Sequence, residues 1–309
     1  MKIGITGSAG FIGHHVATRL VQEGHIVVGF DDFSRGAFRD HTHVDINLEK
    51  PFSPSLFNEL DAVIHLASKV GSFDYYVNNS FDVLSSNLAI DLNVIKTANA
   101  AGVRNFIYAS SAHVYPPLKF KLKESDVFQD QTPPELTYGW AKIIGEELVK
   151  ASDMNSVSLR LVGAFGPGQS TDAENGSLIP ALCKKASDFP HTKYGIKTTG
   201  AESRTYCYID DIVRSFVLCL NKLQETGESI PALNIGSEEE YSVLGIAKMI
   251  RDIADPKMSV ISTDVAPIVV KQVCSNELAK KEIGWQPLIP FKEGLKLTYE
   301  DIESRLLNV

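Results

Sequence analysis

The sequence predicts an α/β fold, with a doubly wound parallel sheet and a smaller, interleaved C-terminal lobe. Short apolar runs typical of buried strands alternate with helical apolar patterns through the first half of the chain. The first of these runs leads straight into a glycine-rich turn, and the alternation loosens after Gly163. The 309 residues are enough for two lobes, at about 150 residues per domain.

Five segments predict the strands of the sheet, and helical patterns separate them. The predicted strands cover residues 2–6, 25–30, 61–66, 104–109 and 156–161. Helices are predicted from residue 11 onward, over 87–101 and over 138–150. Ligands of such sheets bind beyond the carboxyl ends of the strands, so we expect the site just after residues 6, 30, 66, 109 and 161.

The chain is expected to divide near residue 163. Residues 1–163 form the predicted nucleotide-binding domain, and residues 164–309 form mainly a substrate-binding lobe. Segments near 207–220 and 232–236 are expected to return to the first domain, which makes the boundary interleaved.

Composition narrows the class of protein. The net charge of −8 argues against a general nucleic-acid binder or a protein bound to anionic membranes. We see neither an apolar run long enough to span a membrane nor a leader segment. The four cysteines lack metal-ligand spacing, so we expect reduced core thiols, a cytoplasmic location and no metal.

The glycine-rich turn follows the first predicted strand. Gly7, Gly10 and Gly13 stand at three-residue intervals, and Phe11 and Ile12 open the helical pattern. Gly7 permits a tight turn, Gly10 lets the backbone approach a pyrophosphate, and Gly13 lets the helix pack close to the strand. The helix N-terminus then presents free N–H groups to the phosphates. The turn therefore predicts a Rossmann-type dinucleotide site, with a purely structural turn as the alternative.

Two acidic residues follow the second predicted strand. Asp31 and Asp32 stand where a carboxylate can accept hydrogen bonds from both ribose hydroxyls of NAD and repel the 2′-phosphate of NADP. Arg35 lies close in sequence and would soften that repulsion. The pattern favours NAD as the cofactor.

Tyr138 and Lys142 stand four residues apart and would share one face of a helix. We expect the ammonium to favour the phenolate and to lower the tyrosine pKa from its usual value near ~10. Such a pair suits proton transfer to and from a sugar or alcohol hydroxyl. A solvated pair on a helix surface is the alternative.

The loop expected after residue 109 carries Ser111 and His113. A serine hydroxyl there can hydrogen-bond the reacting oxygen and position the proton that Tyr138 moves, and a capping serine is the alternative. His113 is either an acid–base group or a hydrogen-bonded structural histidine, because imidazole titrates near neutral pH.

Together these motifs resemble the extended short-chain dehydrogenase/reductase family, which includes NAD-dependent nucleotide-sugar epimerases and dehydratases. The shared motifs are Gly7-x-x-Gly10-x-x-Gly13, Ser111 before a Val-Tyr pair, Tyr138-x-x-x-Lys142, Ser177-Leu-Ile-Pro180, the run from Gly200 through Arg204 to Asp211, Asn234-Ile-Gly236 and Gly284-Trp285-x-Pro287. The resemblance covers essentially the whole chain. The segments Ser68–Gly71, Tyr115-Pro116 and Leu122–Asp126 resemble the branch that holds GDP-mannose 3,5-epimerase and GDP-fucose synthase.

The resemblance implies a role for each matching position. Ser111, Tyr138 and Lys142 form the catalytic triad it implies, and the substrate is a nucleotide-diphosphate sugar. Asp31 would bind the adenosine ribose and Asp45 would contact adenine. The other implied contacts are Leu66, Ala67 and Lys69 along the cofactor, Lys69 near the sugar, Ser177 and Leu178 on the nucleotide path, and Arg204 on the diphosphate.

Departures from that branch affect the choice of reaction. Where the branch carries a cysteine this chain has His113, and where it carries a lysine or histidine this chain has Ser177. Ser177 is a poor base, so 4-epimerisation through a transient 4-keto sugar is favoured. The alternatives are a 4-keto-sugar reductase, a 3,5-epimerase or, third, a non-enzymatic dinucleotide sensor. The family's second diphosphate arginine is replaced by Lys271, which neutralises phosphate without the bidentate fork of arginine.

The apolar stripes of the helices over 87–101 and 138–150 suggest a homodimer. The family pairs these two helices across a two-fold axis. In the alternative interpretation both stripes only cover the sheet.

Overall fold

The computed structural model describes residues 1–35, 38–39, 41–117, 121–127, 132–172, 177–266 and 273–307. Its strands, numbered β1 to β11 in chain order, are Lys2–Thr6, Ile26–Asp31, Thr42–Asp45, Ala62–His65, Asn105–Ser111, Asn155–Leu161, Ala164–Phe165, Ser203–Thr205, Cys207–Tyr208, Leu233–Ile235 and Glu240–Ser242. The α-helices, numbered α1 to α9, are Phe11–Gln22, Phe73–Asn78, Ser80–Ala100, Thr137–Lys150, Leu178–Ser187, Ile209–Thr226, Val243–Ala254, Glu277–Ile283 and Phe291–Leu307.

Seven parallel strands form the central sheet, in the order β10-β6-β5-β4-β1-β2-β3. The chain starts in the middle at β1, runs outward through β2 and β3, and then crosses back to β4 on the other side. The order therefore reverses between β1 and β4, which is the switch point where doubly wound sheets bind ligands. This architecture confirms the predicted fold class.

Helices cover both faces of the sheet. Alternate residues of β5 point to opposite sides: Ile107 packs in the core under α1 and α6, and Phe106 and Tyr108 pack in the core under α3 and α4. A strand buried on both faces reads as a continuous apolar run, which is why these strands could be predicted.

The smaller lobe is built around α5, α7 and α9, which pack against one another. Two short sheets join it: β8 pairs antiparallel with β11, and β7 pairs parallel with β9. β10 from this half of the chain adds the edge strand beside β6, and α6 packs on the main sheet against α1.

Two differences from the predicted elements concern β3 and α3. β3 was missed, because its four residues include only one aliphatic side chain, Val44. α3 begins at Ser80, well before the predicted start at 87, because the polar first turns hid the helical period. Among the described residues, no helix combines the length and hydropathy needed to cross a bilayer.

Candidate active site

A cavity of about 500 Å³ opens at the carboxyl ends of the sheet strands, across the switch point between β1 and β4. Fourteen of the residues expected in the site line it: Gly7, Gly10, Phe11, Ile12, Gly13, Asp31, Asp32, Leu66, Ala67, Lys69, Ser111, Tyr138, Lys142 and Ser177. The topology of the sheet thus brings together side chains that lie as far as 170 positions apart in sequence.

The glycine turn forms one wall of the cavity. Gly7 has φ +69°, and a β-carbon there would lie 2.7 Å from the backbone nitrogen of Ala67. A β-carbon on Gly13 would overlap the Gly7 carbonyl oxygen, so this glycine lets α1 pack against the turn itself. The first turn of α1 has neither a capping side chain nor an acidic residue, and Phe11, Ile12 and Gly13 line the cavity. Its N-terminus therefore suits the pyrophosphate of a dinucleotide.

Asp31 stands at the end of β2, across from this turn. Its Oδ2 accepts a hydrogen bond from the Ala9 amide at 3.0 Å, and its Oδ1 accepts one from the Phe33 amide at 2.8 Å. Each carboxylate oxygen keeps a free lone pair for a ribose hydroxyl. Asp45 pairs in register with Asp31, but its side chain does not line the cavity.

Residues 46–48, just after β3, line the cavity in place of Asp45. Arg35 also lines the cavity. Its guanidinium donates a hydrogen bond to the Val70 carbonyl and lies 5.9 Å from the centre of the Tyr75 ring. Arg35 thus joins the loop after β2 to the loop after β4, beside the region where Asp31 ends.

Tyr138 and Lys142 lie in the first turns of α4, 6% and 2% exposed. Lys142 Nζ lies 5.7 Å from the centre of the Tyr138 ring. Burial raises the pKa of Tyr138, and the charge of Asp91 raises it further, while a hydrogen bond with Ser68 opposes both. The expected lowering of the tyrosine pKa is therefore not found in this structure, because burial raises it.

Ser111 ends β5 and lines the cavity beside Tyr138. Its hydroxyl accepts a hydrogen bond at 3.2 Å from the amide of His113, which caps the short 3₁₀ turn Ala112–Val114. The capping role is therefore present, and the hydroxyl keeps its own proton to donate into the cavity.

His113 lies against aromatic rings rather than in the cavity wall. Its ring is 5.8 Å from the rings of both Tyr76 and Tyr138, in edge-on contact with each. Burial, together with the charge of Arg204, lowers the pKa of His113 to about 4. The imidazole is therefore neutral near pH 7, and it is a weaker base than a solvated histidine.

The substrate-side residues occupy different places. Ser177 lines the cavity, and its Oγ accepts a hydrogen bond from Gln169 Nε2 at 2.9 Å. Leu178 begins α5 and packs against the core instead. Arg204 is exposed on β8, and no carboxylate within the described residues forms an ion pair with it. Lys271 lies outside the described residues.

Lys69 lines the cavity, but its ammonium turns toward α3. Nζ donates to Ser86 Oγ at 3.1 Å and lies 3.7 Å from Glu49 Oε1. Its backbone is held by Asn87, whose Oδ1 accepts hydrogen bonds from the Lys69 amide and the Ser68 hydroxyl, both at 2.7 Å.

Sequence reasoning missed several polar residues of the site, and three of them have clear contacts or an unsatisfied polar atom. Ser68 and Asn87 support Tyr138 and the loop after β4, and Gln169 lines the cavity with its Oε1 buried and without a hydrogen-bond partner in the described chain. Ser68 could have been predicted, because it is a polar residue just after a predicted strand. The sequence around Asn87 and Gln169 has no comparable signal. Among the described residues, no three His, Cys, Asp or Glu side chains lie close enough to hold a metal ion.

Comparison with known proteins gives matches along nearly the whole chain. A sequence model described as the NAD dependent epimerase/dehydratase family matches residues 3–236. GDP-mannose 3,5-epimerase of Arabidopsis thaliana is 30% identical over 322 aligned residues, which cover 99% of this chain and 83% of that protein. UDP-glucuronic acid decarboxylase 1 of the same plant is 24% identical, and the alignment covers 100% of this chain and 71% of that protein.

Solved structures share the fold. UDP-glucose 4-epimerase from Thermotoga maritima, in a crystal structure with UDP-glucose, superimposes with a TM-score of 0.87 at 25% identity. The superposition covers 99% of this chain and 100% of that chain.

Proposed function

Because this chain belongs to the NAD-dependent epimerase/dehydratase family, we propose that it is a nucleotide-diphosphate-sugar epimerase acting through a transient 4-keto sugar. One observation supports this most: Ser111, Tyr138 and Lys142 converge on the cavity that the glycine turn also lines. The sequence separation of these residues makes a chance meeting at one ligand-sized space improbable.

NAD is the cofactor, as in the family as a whole. We propose that the amide groups at the start of α1 hold its pyrophosphate and that Asp31 holds the adenosine ribose. Leu66 and Ala67 follow β4 and would cover the dinucleotide from the other side. NAD bound there would supply the acceptor for the hydride that leaves the sugar carbon.

Tyr138 carries the proton in this mechanism. Its phenol oxygen exchanges a proton with the sugar hydroxyl, while Ser111 donates a hydrogen bond to the reacting oxygen. Lys142 holds its positive charge beside the ring and stabilises the phenolate.

We favour 4-epimerisation because the site, among the described residues, offers no good base for the other carbons of the sugar ring. A 3,5-epimerisation needs bases that remove protons from two carbons of the ring. The His113 pKa of about 4 makes its imidazole a poor base, and Ser177 offers only a hydroxyl already engaged with Gln169. In 4-epimerisation the 4-keto sugar rotates in the site, and the hydride then returns to its opposite face. This reaction needs no base besides Tyr138.

The second candidate is a 3,5-epimerase, favoured by the 30% identity to the plant GDP-mannose enzyme. His113 adjoins the ring of Tyr138, so a substrate-induced rearrangement that solvates it would restore a usable base. A 4-keto-sugar reductase would use the same triad and is separated from both epimerases by its net consumption of reduced cofactor.

For the substrate we propose a nucleotide-diphosphate sugar whose phosphates meet Arg204. This guanidinium is exposed on β8, and its charge lowers the pKa of His113, whose ring contacts that of Tyr138. Burial of the four free thiols fits the proposed cytoplasmic location, where cysteines stay reduced.

We further propose a homodimer built on α3 and α4. Four large apolar side chains on these helices are exposed to solvent: Phe81 at 79%, Leu92 at 50%, Trp140 at 38% and Ile144 at 40%. Since α3 and α4 pack against each other, we take these four residues as the candidate self-association surface.

Incubation with a panel of nucleotide sugars in D₂O tests the proposed reaction. The expected product is a 4-epimer without deuterium at C3 or C5, formed by protein that carries NAD as purified. Deuterium at C3 or C5 would instead identify a 3,5-epimerase, and net NADPH oxidation would identify a reductase. Bound NAD with no turnover of any sugar nucleotide would favour the non-enzymatic alternative.

A further inference from the structure

A fully buried acidic residue, Asp91, lies beneath the active site on α3. Its Oδ2 accepts a hydrogen bond from the Tyr108 hydroxyl at 2.5 Å, and its Oδ1 lies 3.0 Å from His65 Nε2. On the far side of the ring, His65 Nδ1 lies 2.6 Å from Thr6 Oγ1. Thr6 Oγ1 in turn accepts from the amides at positions 66 and 67, both at 3.2 Å.

These bonds fix the protonation state of the network. Thr6 has its lone pairs engaged by amides, so its own proton points to His65 Nδ1. The histidine proton is then on Nε2 and is donated to Asp91, which is satisfied as a carboxylate. Burial lowers the pKa of His65 and raises that of Tyr108, so both partners of Asp91 stay neutral.

The helix that carries Lys142 rests directly on this carboxylate. Lys142 Nζ lies 4.7 Å from the centre of the Tyr108 ring. Gly145 follows on the next turn of α4, where a β-carbon would overlap the Tyr108 hydroxyl and lie 2.8 Å from Asp91 Oδ2. No larger residue would let α4 approach this closely.

A second carboxylate near the lysine, Glu146, is already neutralised. Arg160 binds it with both arms of the guanidinium, Nε to Oε1 at 2.9 Å and Nη2 to Oε2 at 2.7 Å, and the Ser110 hydroxyl also donates to it. Within the part of the chain that the structure describes, Lys142 and Asp91 are thus buried charges of opposite sign that form no ion pair with another charged side chain.

We propose that Asp91 is a positioning residue whose carboxylate, held by Tyr108 and His65, is the buried counter-ion that keeps Lys142 charged. An ammonium taken out of water without an anion nearby loses its proton, and a neutral lysine can no longer stabilise a phenolate. The inference rests on the proposed role of Lys142 in the reaction. The proposed ion pair also gives a reason for a charged Asp91 in the core, where its hydrogen-bond partners Tyr108 and His65 are both neutral.

The test follows the charge of Lys142 directly, by NMR titration of Nζ in protein labelled with ¹⁵N-lysine, with Lys142→Met to assign the signal. In Asp91→Asn we expect the Lys142 midpoint to fall by about one pH unit or more, as for loss of a nearby opposite charge. Asp91→Glu, which keeps the charge, should recover most of the shift. Thr97→Val, another buried polar change on α3, should leave the midpoint in place.

The reverse measurement covers the case in which Asp91→Asn fails to fold. Coupling between two charges is reciprocal, so Lys142→Met should raise the midpoint of the Asp91 carboxyl carbon by a similar amount. Unchanged midpoints in either experiment would overturn the proposal. Neither readout requires turnover, so a protein inactive on every sugar nucleotide could still uphold the Asp91–Lys142 coupling while the proposed reaction fails.

Discussion

Lys142 Nζ lies 5.7 Å from the centre of the Tyr138 ring, and both side chains are more than nine-tenths buried. Burial raises the pKa of the phenol and lowers that of the ammonium, so the protein pushes both groups toward their neutral forms. A reactive phenolate therefore needs a positive charge beside it, and Lys142 supplies one only while it keeps its proton.

Tyr138→Phe should reduce turnover about 10²- to 10⁴-fold, the usual contribution of a positioned acid–base group, without loss of bound NAD. Tyr76→Phe is the matched control, because this tyrosine stacks on Tyr138 with ring centres 4.7 Å apart and is equally buried. Its turnover should stay within a few-fold of wild type. Equal losses in both variants would assign the effect to packing, and full activity of Tyr138→Phe would reject the mechanism.

Gly13→Ala should abolish retention of NAD and lower stability by about 1–3 kcal/mol, the cost of overpacking. The added methyl group overlaps the backbone of the glycine turn, which cannot move as a side chain could. Gly10→Ala is a graded comparison, since its β-carbon would lie 3.2 Å from the Gly7 carbonyl oxygen. Cofactor content of the purified proteins and their thermal midpoints measure both effects, and equal behaviour of the two variants would contradict the geometry.

The strands β1, β2, β4, β5 and β6 and the glycine turn could be predicted because their signals are local. A strand buried on both faces is apolar throughout, and a glycine turn between strand and helix has few other uses. The burial of Tyr138 could not be predicted, since it depends on Tyr76 and His113 packing around its ring from other segments. The Asp91 network is equally invisible in sequence, because its members become neighbours only through the sheet.

The low pKa of His113 should make the protein less stable in mild acid. The folded state holds the imidazole neutral down to pH about 4, whereas the unfolded chain takes up the proton near 6.5. Stability is therefore fully present above 6.5 and is lost as pH falls toward 4, by roughly 2–3 kcal/mol between pH 7 and 4.5.

Urea unfolding of His113→Gln at pH 7 and 4.5 measures this contribution. The variant should lose roughly 2–3 kcal/mol less than wild type over that interval. His191→Gln, at an exposed histidine, should follow the wild-type curve. The same acid loss in His113→Gln as in wild type would show that the imidazole is not held neutral.

Arg204→Gln should raise the KM for the nucleotide sugar about 10- to 100-fold, with little change in kcat and in bound NAD. A charge-assisted hydrogen bond to phosphate contributes about 1.5–3 kcal/mol, and a contact with a part of the substrate that does not react acts on binding alone. Arg251→Gln removes an equal charge from the same lobe, where the arginine pairs with Asp252, and should leave KM unchanged. A fall in kcat without a change in KM would place Arg204 outside the diphosphate site.

Ile144→Glu combined with Leu92→Glu should convert the proposed dimer into a monomer. A carboxylate placed inside an apolar helix interface must be desolvated without a partner, which costs several kcal/mol per subunit. Leu297→Glu on α9 is the matched control, because Leu297 and Ile144 are both 40% exposed. Sedimentation velocity at micromolar concentration should give a dimer for wild type and Leu297→Glu and a monomer for the double variant. A wild-type monomer would mean that the exposed stripe on α3 and α4 is not a self-association surface, and the cavity would then work within one chain.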